Sequence, residues 1–347
     1  MNKAEAQKTI EELLEIKGAH TFYDVHVHPF EVMFDACQYQ HSPEYDGLYR
    51  SGTSEYRAPE ITDLTLQQPL PGPESAANKK LRAMACLLNA RRFYSHTGPM
   101  VFSDHMKLGG IDRVLLLPVM AENETGDAQL EAMARMFGHS EKFLRGYCVP
   151  NDVPDNLVER EMSRVVAEYD VKALKIHPSV TGIDLGSEKG VTRVECLLAA
   201  AQNNGLKVII HGGMSPDCKN SEAICYGIID NLMKIDWSVI RETVIIAHGG
   251  CYGYSFSDAA AEVLPELLKL FERYENLSFD TSSISFDVLC QLLKCCDSKR
   301  IFFGSDALYE KQWVSLVKLW NAIKSSQTQC EDIFLRIVSD NPKCLFG

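Results

Sequence analysis

Twelve cysteines occur in the 347 residues, yet none forms a C-x-x-C pair and their spacing follows no repeat. That removes zinc ribbons and disulfide-framework folds. In a chain of this size without a secretory leader it predicts reduced, mostly buried thiols. Also missing are a glycine-rich phosphate loop, a G-x-G-x-x-G segment, a Ser-His-Asp signature and an H-E-x-x-H segment. Dinucleotide-binding, nucleophilic-serine and zincin chemistry lose their usual carriers. No apolar run is long enough to span a bilayer. The N-terminal stretch MNKAEAQKTIEELLEIKGAH lacks the apolar centre of a signal peptide. It reads instead as an amphipathic helix, with Ile10, Leu13, Leu14 and Ile16 on or near one side. Basic residues are in deficit, 35 Lys+Arg against 47 Asp+Glu, for a formal net charge of -12. Nucleic acid and membrane surfaces are therefore not expected partners, and the cytoplasm is the expected compartment.

What the chain does have is alternation. From about residue 110, apolar runs of strand length (RVLLLPV, FLRGYCVP, VKALKIHP, LKVIIHGG, TVIIAHGG, LSFDTSS, RIFFGSD) are followed in turn by segments with helical spacing. Among these, DNLVEREMSRVVAEY and VTRVECLLAAAQNNG predict helices, the second stopping at Asn-Gly, and a further helix is predicted around Glu222 to Met233. With FYDVHVH placed first, the pattern predicts eight parallel strands with helical crossovers. The fold class is α/β, a (β/α)8 TIM barrel with an N-terminal helix and a long insertion after strand 1; an open doubly wound sheet is the rival. Residues 1–347 form one barrel domain on this reading, and residues 29–111 an insertion or lid on the first βα connection, which ordinarily has about 2–6 residues. The insertion carries Lys79, Lys80, Arg82, Arg91 and Arg92 in an otherwise acidic chain. Arg91 and Arg92 are candidates to bind an anionic substrate, because guanidinium matches carboxylate bidentately; a solvated basic helix face is the plainer alternative.

The strand ends carry the chemistry. In YDVHVHPF, residues two apart share a face, so Asp24, His26 and His28 are expected on one side and Val25 and Val27 on the other. Strand 4 ends in Lys175 and His177, strand 5 in His211, strand 6 in His248 and strand 8 in Asp306. In a closed barrel these ends converge on one mouth. Each has an ordinary role taken alone: a hydrogen-bonded core histidine, a turn exit at HGG, a helix cap at GSD. Together they suit a divalent ion with nitrogen and oxygen ligands at about 2.0–2.2 Å. His26 and His28 can reach one ion, with His211 and Asp306 approaching it from strands 5 and 8. Such an ion lowers the pKa of water from about 15.7 toward roughly 7. Asp306 could also accept the water's proton, and His248 could polarise a carbonyl. Cys251 and Tyr252 follow the second HGG and are candidates to line the pocket.

The segments YDVHVHPF, ALKIHP, VIIHGG, VIIAHGG, FFGSD and the terminal NPKCLFG resemble the amidohydrolase superfamily of metal-dependent (β/α)8 barrels. The likeness is greatest to its amidohydrolase-2 branch, which includes the aminocarboxymuconate-semialdehyde decarboxylase-like enzymes. The resemblance implies a divalent metal, usually Zn2+, at the positions matching His26, His28, His211 and Asp306, and a catalytic role at the position matching His248. It implies one ion, since the ALKIHP strand resembles the mononuclear branch with an unmodified lysine. The alternative is two ions bridged by a carboxylated Lys175. Unmodified, Lys175 could hold a substrate carboxylate or pair with an acidic neighbour such as Asp24 or Asp280; His177 could contact substrate or support a ligand. The expected activity is a metal-dependent hydrolase attacking an amide, lactone or ester carbonyl of a small anionic molecule. A metal-dependent non-oxidative decarboxylase and a catalytically silent scaffold are the rivals. The family often dimerises, so a homodimer is compatible with the resemblance.

Overall fold

In the computed structural model, residues 3–29, 99–119, 126–138, 140–215, 221–307 and 310–347 are described. Most of the 29–111 insertion, residues 30–98 with Lys79, Lys80, Arg82, Arg91 and Arg92, lies outside them. The strands are β1 (Tyr23–Val27), β2 (Arg113–Leu116), β3 (Phe143–Tyr147), β4 (Val171–Ile176), β5 (Lys207–Ile210), β6 (Val244–Ile246), β7 (Leu277–Asp280) and β8 (Ile301–Phe302). They pair in sequence order as one parallel sheet. The ends of the sheet meet. Val25 N–H donates to Phe303 O at 2.9 Å, and Asp306 N–H to His26 O at 2.9 Å.

Period-2 alternation sorts each strand into two apolar layers. Val114 and Leu116, Val208 and Ile210, Val244 and Ile246, and Leu277 and Phe279 point outward to the helices. Inside, Val25, Leu115, Leu117, Leu144, Ala173, Ile209, Ile245, Ala247 and Phe302 form a separate packed layer. Two residues that should share a face do not: Val25 is in the inner layer and Val27 in the outer one. The register of β1 against β2 slips between Asp24 and Val27. Such a bulge lets consecutive residues face the same side, so Val25 and His26 both point inward while Asp24 points out.

The helices follow from local signals. α1 (Lys3–Lys17) buries Ala6, Ile10 and Leu13, whereas Leu14 is 42% exposed and not part of the packed stripe. α2 (Pro99–Gly109) and α3 (Gly126–Phe137) precede β2 and β3. α4 (Asp155–Tyr169) buries Val158, Met162 and Val165 at helical spacing. α5 (Glu188–Asn203) starts where the Ser187 hydroxyl accepts from Gly190 N–H and ends at Asn204-Gly205. Between β5 and β6 the expected long helix is broken into a 3-10 turn, Glu222–Cys225, and one helical turn, Ile229–Leu232. Gly227 separates them because its backbone lies against the His211 and Gly213 carbonyls, leaving little room for a side chain. α6 (Leu264–Arg273), α7 (Phe286–Cys295) and α8 (Gln312–Ser326) complete the outer ring. The last helix, α9 (Asn341–Phe346), brings Leu345 and Phe346 against the inner layer. No described helix is long and apolar enough to cross a membrane, and the nine cysteines among the described residues are free.

Candidate metal centre

Two residues beyond the inner apolar layer the strands change character. Ala173 is followed by Lys175, Ile209 by His211, Ser278 by Asp280 and Phe302 by Gly304. Gly304 is a spatial requirement: a Cβ there would stand 2.8 Å from the His26 Cβ and 3.2 Å from the Asp280 carboxyl carbon. The β1 bulge turns His26 into this polar layer, and His28 follows two residues later.

His26 Nε2 and His28 Nε2 are 3.1 Å apart. Asp306 Oδ1 lies 3.3 Å from His28 Nε2 and 3.9 Å from His26 Nε2. The opposite ring nitrogens fix the tautomers. His26 Nδ1 donates to Asp280 Oδ2 at 2.8 Å, and His28 Nδ1 to Leu117 O at 2.7 Å. As neutral rings, both therefore aim Nε2 lone pairs at the same point. Burial, reinforced by the Lys175 cation, pulls the His26 pKa down to about 3, so this ring is neutral at physiological pH. Burial pushes the Asp306 carboxyl up, but the adjacent His28, His248 and His26 imidazoles outweigh it and hold the group well below the usual carboxylate range. Its Oδ1 is buried without a hydrogen-bond partner among the described residues, while Oδ2 accepts from Ser283 Oγ at 2.6 Å. Two lone pairs and an anionic oxygen facing one another call for a cation, and the donor set fits a divalent one. Lys175 Nζ also reaches this cluster, 3.1 Å from His26 Nε2.

His26, His28 and Asp306 form one grouping able to hold an ion, and His26, His248 and Asp280 another. Asp280 already serves as a hub. It accepts from His26 Nδ1 and, through Oδ1, from the backbone N–H groups of His248 and Ser282, each at 3.0 Å, and from the Ser282 hydroxyl. Burial raises its pKa, but His26 and His248 prevail and keep it ionised. His248 Nδ1 donates to Ser282 O at 3.0 Å, leaving Nε2 as an acceptor. His248 and Asp306 both have φ 58, and Ser283 has φ 47. Left-handed backbone costs such residues about 1–3 kcal/mol each, and the surrounding hydrogen bonds hold them there. Asp280, Ser282 and Ser283 were not singled out as site residues from the sequence. LSFDTSS reads as an ordinary strand, and only the i, i+2 spacing from Ser278 marks Asp280 as facing inward.

The remaining candidates divide. Lys175 is 1% exposed, and burial lowers its pKa to about 8. Asp24 is not its partner: the β1 bulge puts Asp24 on the outer side, where it meets Ser305 and Gln312. His177 caps a helical turn, its Nδ1 accepting from Val180 N–H at 3.3 Å, so Nε2 carries the proton. Its ring stacks on His211 with centroids 4.0 Å apart and planes 12° apart. His211 is outside both ion-holding groupings; its Nε2 meets Ser215 Oγ at 3.1 Å and Met214 O at 3.3 Å. It is nonetheless adjacent, 5.0 Å from the His248 ring. Burial lowers the pKa of His177, His211 and His248. Tyr252 packs on His248 at 4.8 Å and His211 at 5.4 Å, held by a bridge to Gly213. Cys251, in contrast, joins the outer apolar layer, where burial pushes its thiol up to about 12. It is inert rather than pocket-lining.

Solved structures share this architecture at low identity. An IDCase from Metarhizium anisopliae in its apo form is 16% identical with a TM-score of 0.54, over 94% of this chain and 97% of that one. A 4-oxalomesaconate hydratase from Rhodopseudomonas palustris is 12% identical with a TM-score of 0.52, over 94% and 95%. An amidohydrolase from Burkholderia multivorans with bound zinc is 12% identical with a TM-score of 0.51, over 72% and 88%. No curated protein matches the sequence. The family model for amidohydrolases (Amidohydro_2) matches residues 23–347, from the first barrel strand to the last residue. That span includes every residue of the ligand cluster, and the chain therefore belongs to the Amidohydro_2 amidohydrolase family of metal-dependent TIM-barrel enzymes.

Proposed function

We propose that this enzyme is a hydrolase that uses a metal-activated water to attack an amide, lactone or ester carbonyl of a small anionic substrate. The observation that carries it is the buried Asp306 Oδ1, without a hydrogen-bond partner among the described residues, facing two imidazole lone pairs. His26, His28 and Asp306 would hold one divalent ion, zinc by preference for this donor set, with His211 and His248 the nearest further imidazoles. When bound, the ion supplies Lewis acidity for activating water and polarising a carbonyl.

The side chains divide the other tasks. Asp306, ionised at neutral pH, receives the water's proton, while Ser283 keeps its second oxygen turned away from the ligands. His248 offers an unprotonated Nε2 that accepts a hydrogen bond from the attacking water and orients it, and the proton received by Asp306 passes on to the leaving group. His177 presents Nε2–H, the donor available to a substrate oxygen. Lys175, a cation at pH 7 with its pKa near 8, holds a substrate carboxylate as a point charge. Tyr252 walls the pocket beside His211 and His248. Arg91 and Arg92 are further candidates for the substrate anion.

Non-oxidative decarboxylation of an aromatic or unsaturated acid is the second reading. It is favoured by the buried Lys175 cation beside the flat, stacked His177–His211 pair, which suits a planar carboxylate. Elemental analysis of protein purified without added metal comes first. One zinc per chain, lost in His26→Ala and Asp306→Ala, is the expected result. Two ions would mean a carboxylated Lys175 bridge, and none after reconstitution would sink the enzyme reading. Lactones and amides screened against aromatic and unsaturated acids, with CO2 release as the second readout, then separate hydrolase from decarboxylase.

A further inference from the structure

Beyond the ligands themselves lies a carboxylate that none of this chemistry uses. Asp24 is fully buried, on the side of the barrel wall away from the ligand cluster. Its Oδ1 accepts from His26 N–H at 3.2 Å and from Ser305 N–H at 2.9 Å. Its Oδ2 accepts from the Ser305 hydroxyl and from Gln312 Nε2 at 2.8 Å. Every group around it is a donor, and these bonds only partly offset the burial that pushes its pKa up to about 7.

Its position on the seam is what gives these bonds consequence. β8 spans only Ile301–Phe302, so the ligand Asp306 lies past the end of its own strand. Across the seam, the described backbone bonds that reach this far are Val25 N–H to Phe303 O and Asp306 N–H to His26 O. Asp306 is also in a left-handed conformation that its own backbone disfavours. Asp24 grips the residue before each of its two dependents' side chains emerges: Ser305, next to Asp306, and the amide of His26 itself. Gln312 adds α8 to the same grip, and Ser315 Oγ, one turn on, donates to Ser305 O at 3.3 Å.

We propose that Asp24 is a positioning residue for the metal centre, setting the separation of His26 and Asp306 by clamping β1 to the β8 exit from the outer face of the wall. The inference rests on the metal reading above. It concerns how the ligands are spaced, not which atoms bind.

Cobalt(II) titration of apo-enzyme followed by visible absorption tests it, because band position and intensity report the coordination geometry directly. Wild-type protein, Asp24→Ala, Asp24→Asn and Ser305→Ala are compared, each with its apo Tm. The expected result is cobalt affinity about 10–100-fold weaker in Asp24→Ala, about 10-fold weaker in the isosteric Asp24→Asn, and a changed band shape in both. Ser305→Ala should shift in the same direction by less. Should Asp24→Ala fail to fold, Asp24→Asn and Ser305→Ala decide the matter. Ile245→Ala, deep in the inner apolar layer, lowers Tm without changing the cobalt spectrum and calibrates a purely structural loss. An Asp24→Asn protein with wild-type affinity and spectrum, whatever its Tm, overturns the clamp and leaves the metal site standing. Wild-type protein that binds no cobalt overturns both.

Discussion

The two ends of the barrel interior are made by the same strands and obey opposite rules. At one end, Val25, Leu115, Leu144, Ala173, Ile209, Ile245 and Phe302 fill the cross-section with apolar volume. At the other, starting two residues later on β4, β5 and β7, it holds Lys175, His211 and Asp280, with His26, His248 and Asp306 beside them. The first end relies on packing alone. At the second, ionised carboxylates, a buried lysine and imidazoles held neutral by burial crowd together, with His248, Ser283 and Asp306 in left-handed backbone. One end gains stability from burial, while the other gives some of it up to keep acceptors facing one another.

That contrast can be attacked from either side. Ile245→Ala should cost about 2–5 kcal/mol of folding stability with zinc stoichiometry unchanged; urea unfolding alongside metal analysis checks both, and loss of metal would erase the division of labour. Asp280→Asn removes the acceptor that orients His26 and should weaken zinc binding by about 10–100-fold. Isothermal titration or chelator competition reads this, and an unchanged Kd would remove Asp280 from the hub. A third test is pH. Because the His26 pKa is about 3 when folded and 6.5 is the unfolded value, the unfolded chain binds more protons across that window. Apo-protein stability therefore falls as pH drops from about 6.5, by at most ~1.4 kcal/mol per pH unit for each such histidine, and His177, His211 and His248 shift the same way. Urea midpoints at pH 5 and 7.5 should show this slope equally in wild type and in Ile245→Ala, placing it at the polar end.

The barrel was legible because strand-helix alternation repeats in one dimension, and each strand's last residues stand out by type. His26, His28 and Asp306, which the fold brings into one grouping able to hold an ion, could be named in advance as candidates since ligand chemistry admits few residue types. Asp24 was recognisable as a polar residue beside them but was placed on the wrong face, because a bulge is a property of pairing between strands. Asp280 was considered only as a neighbour of Lys175, and the serines after it not at all, for a related reason. Their partners, His26 and Asp306, are distant in the chain, and a Ser or Asp after a strand is unremarkable until the barrel closes. Cys251 looked like a pocket residue only because it follows His248 so closely; the left-handed turn through Gly249 and Gly250 sends it outward.

The φ of 58 at Asp306 narrows what evolution can do there. Asp, Asn and His are the side-chain-bearing residues that most readily occupy left-handed backbone. Asp306→Asn therefore keeps the turn and the shape while discarding the anion that an ion requires. A Glu, the other carboxylate, meets the conformational penalty and projects its charge too far. This barrel can thus lose the carboxylate at this turn by one exchange that leaves the backbone as it is, whereas a bulkier residue there would demand that the turn itself be rebuilt.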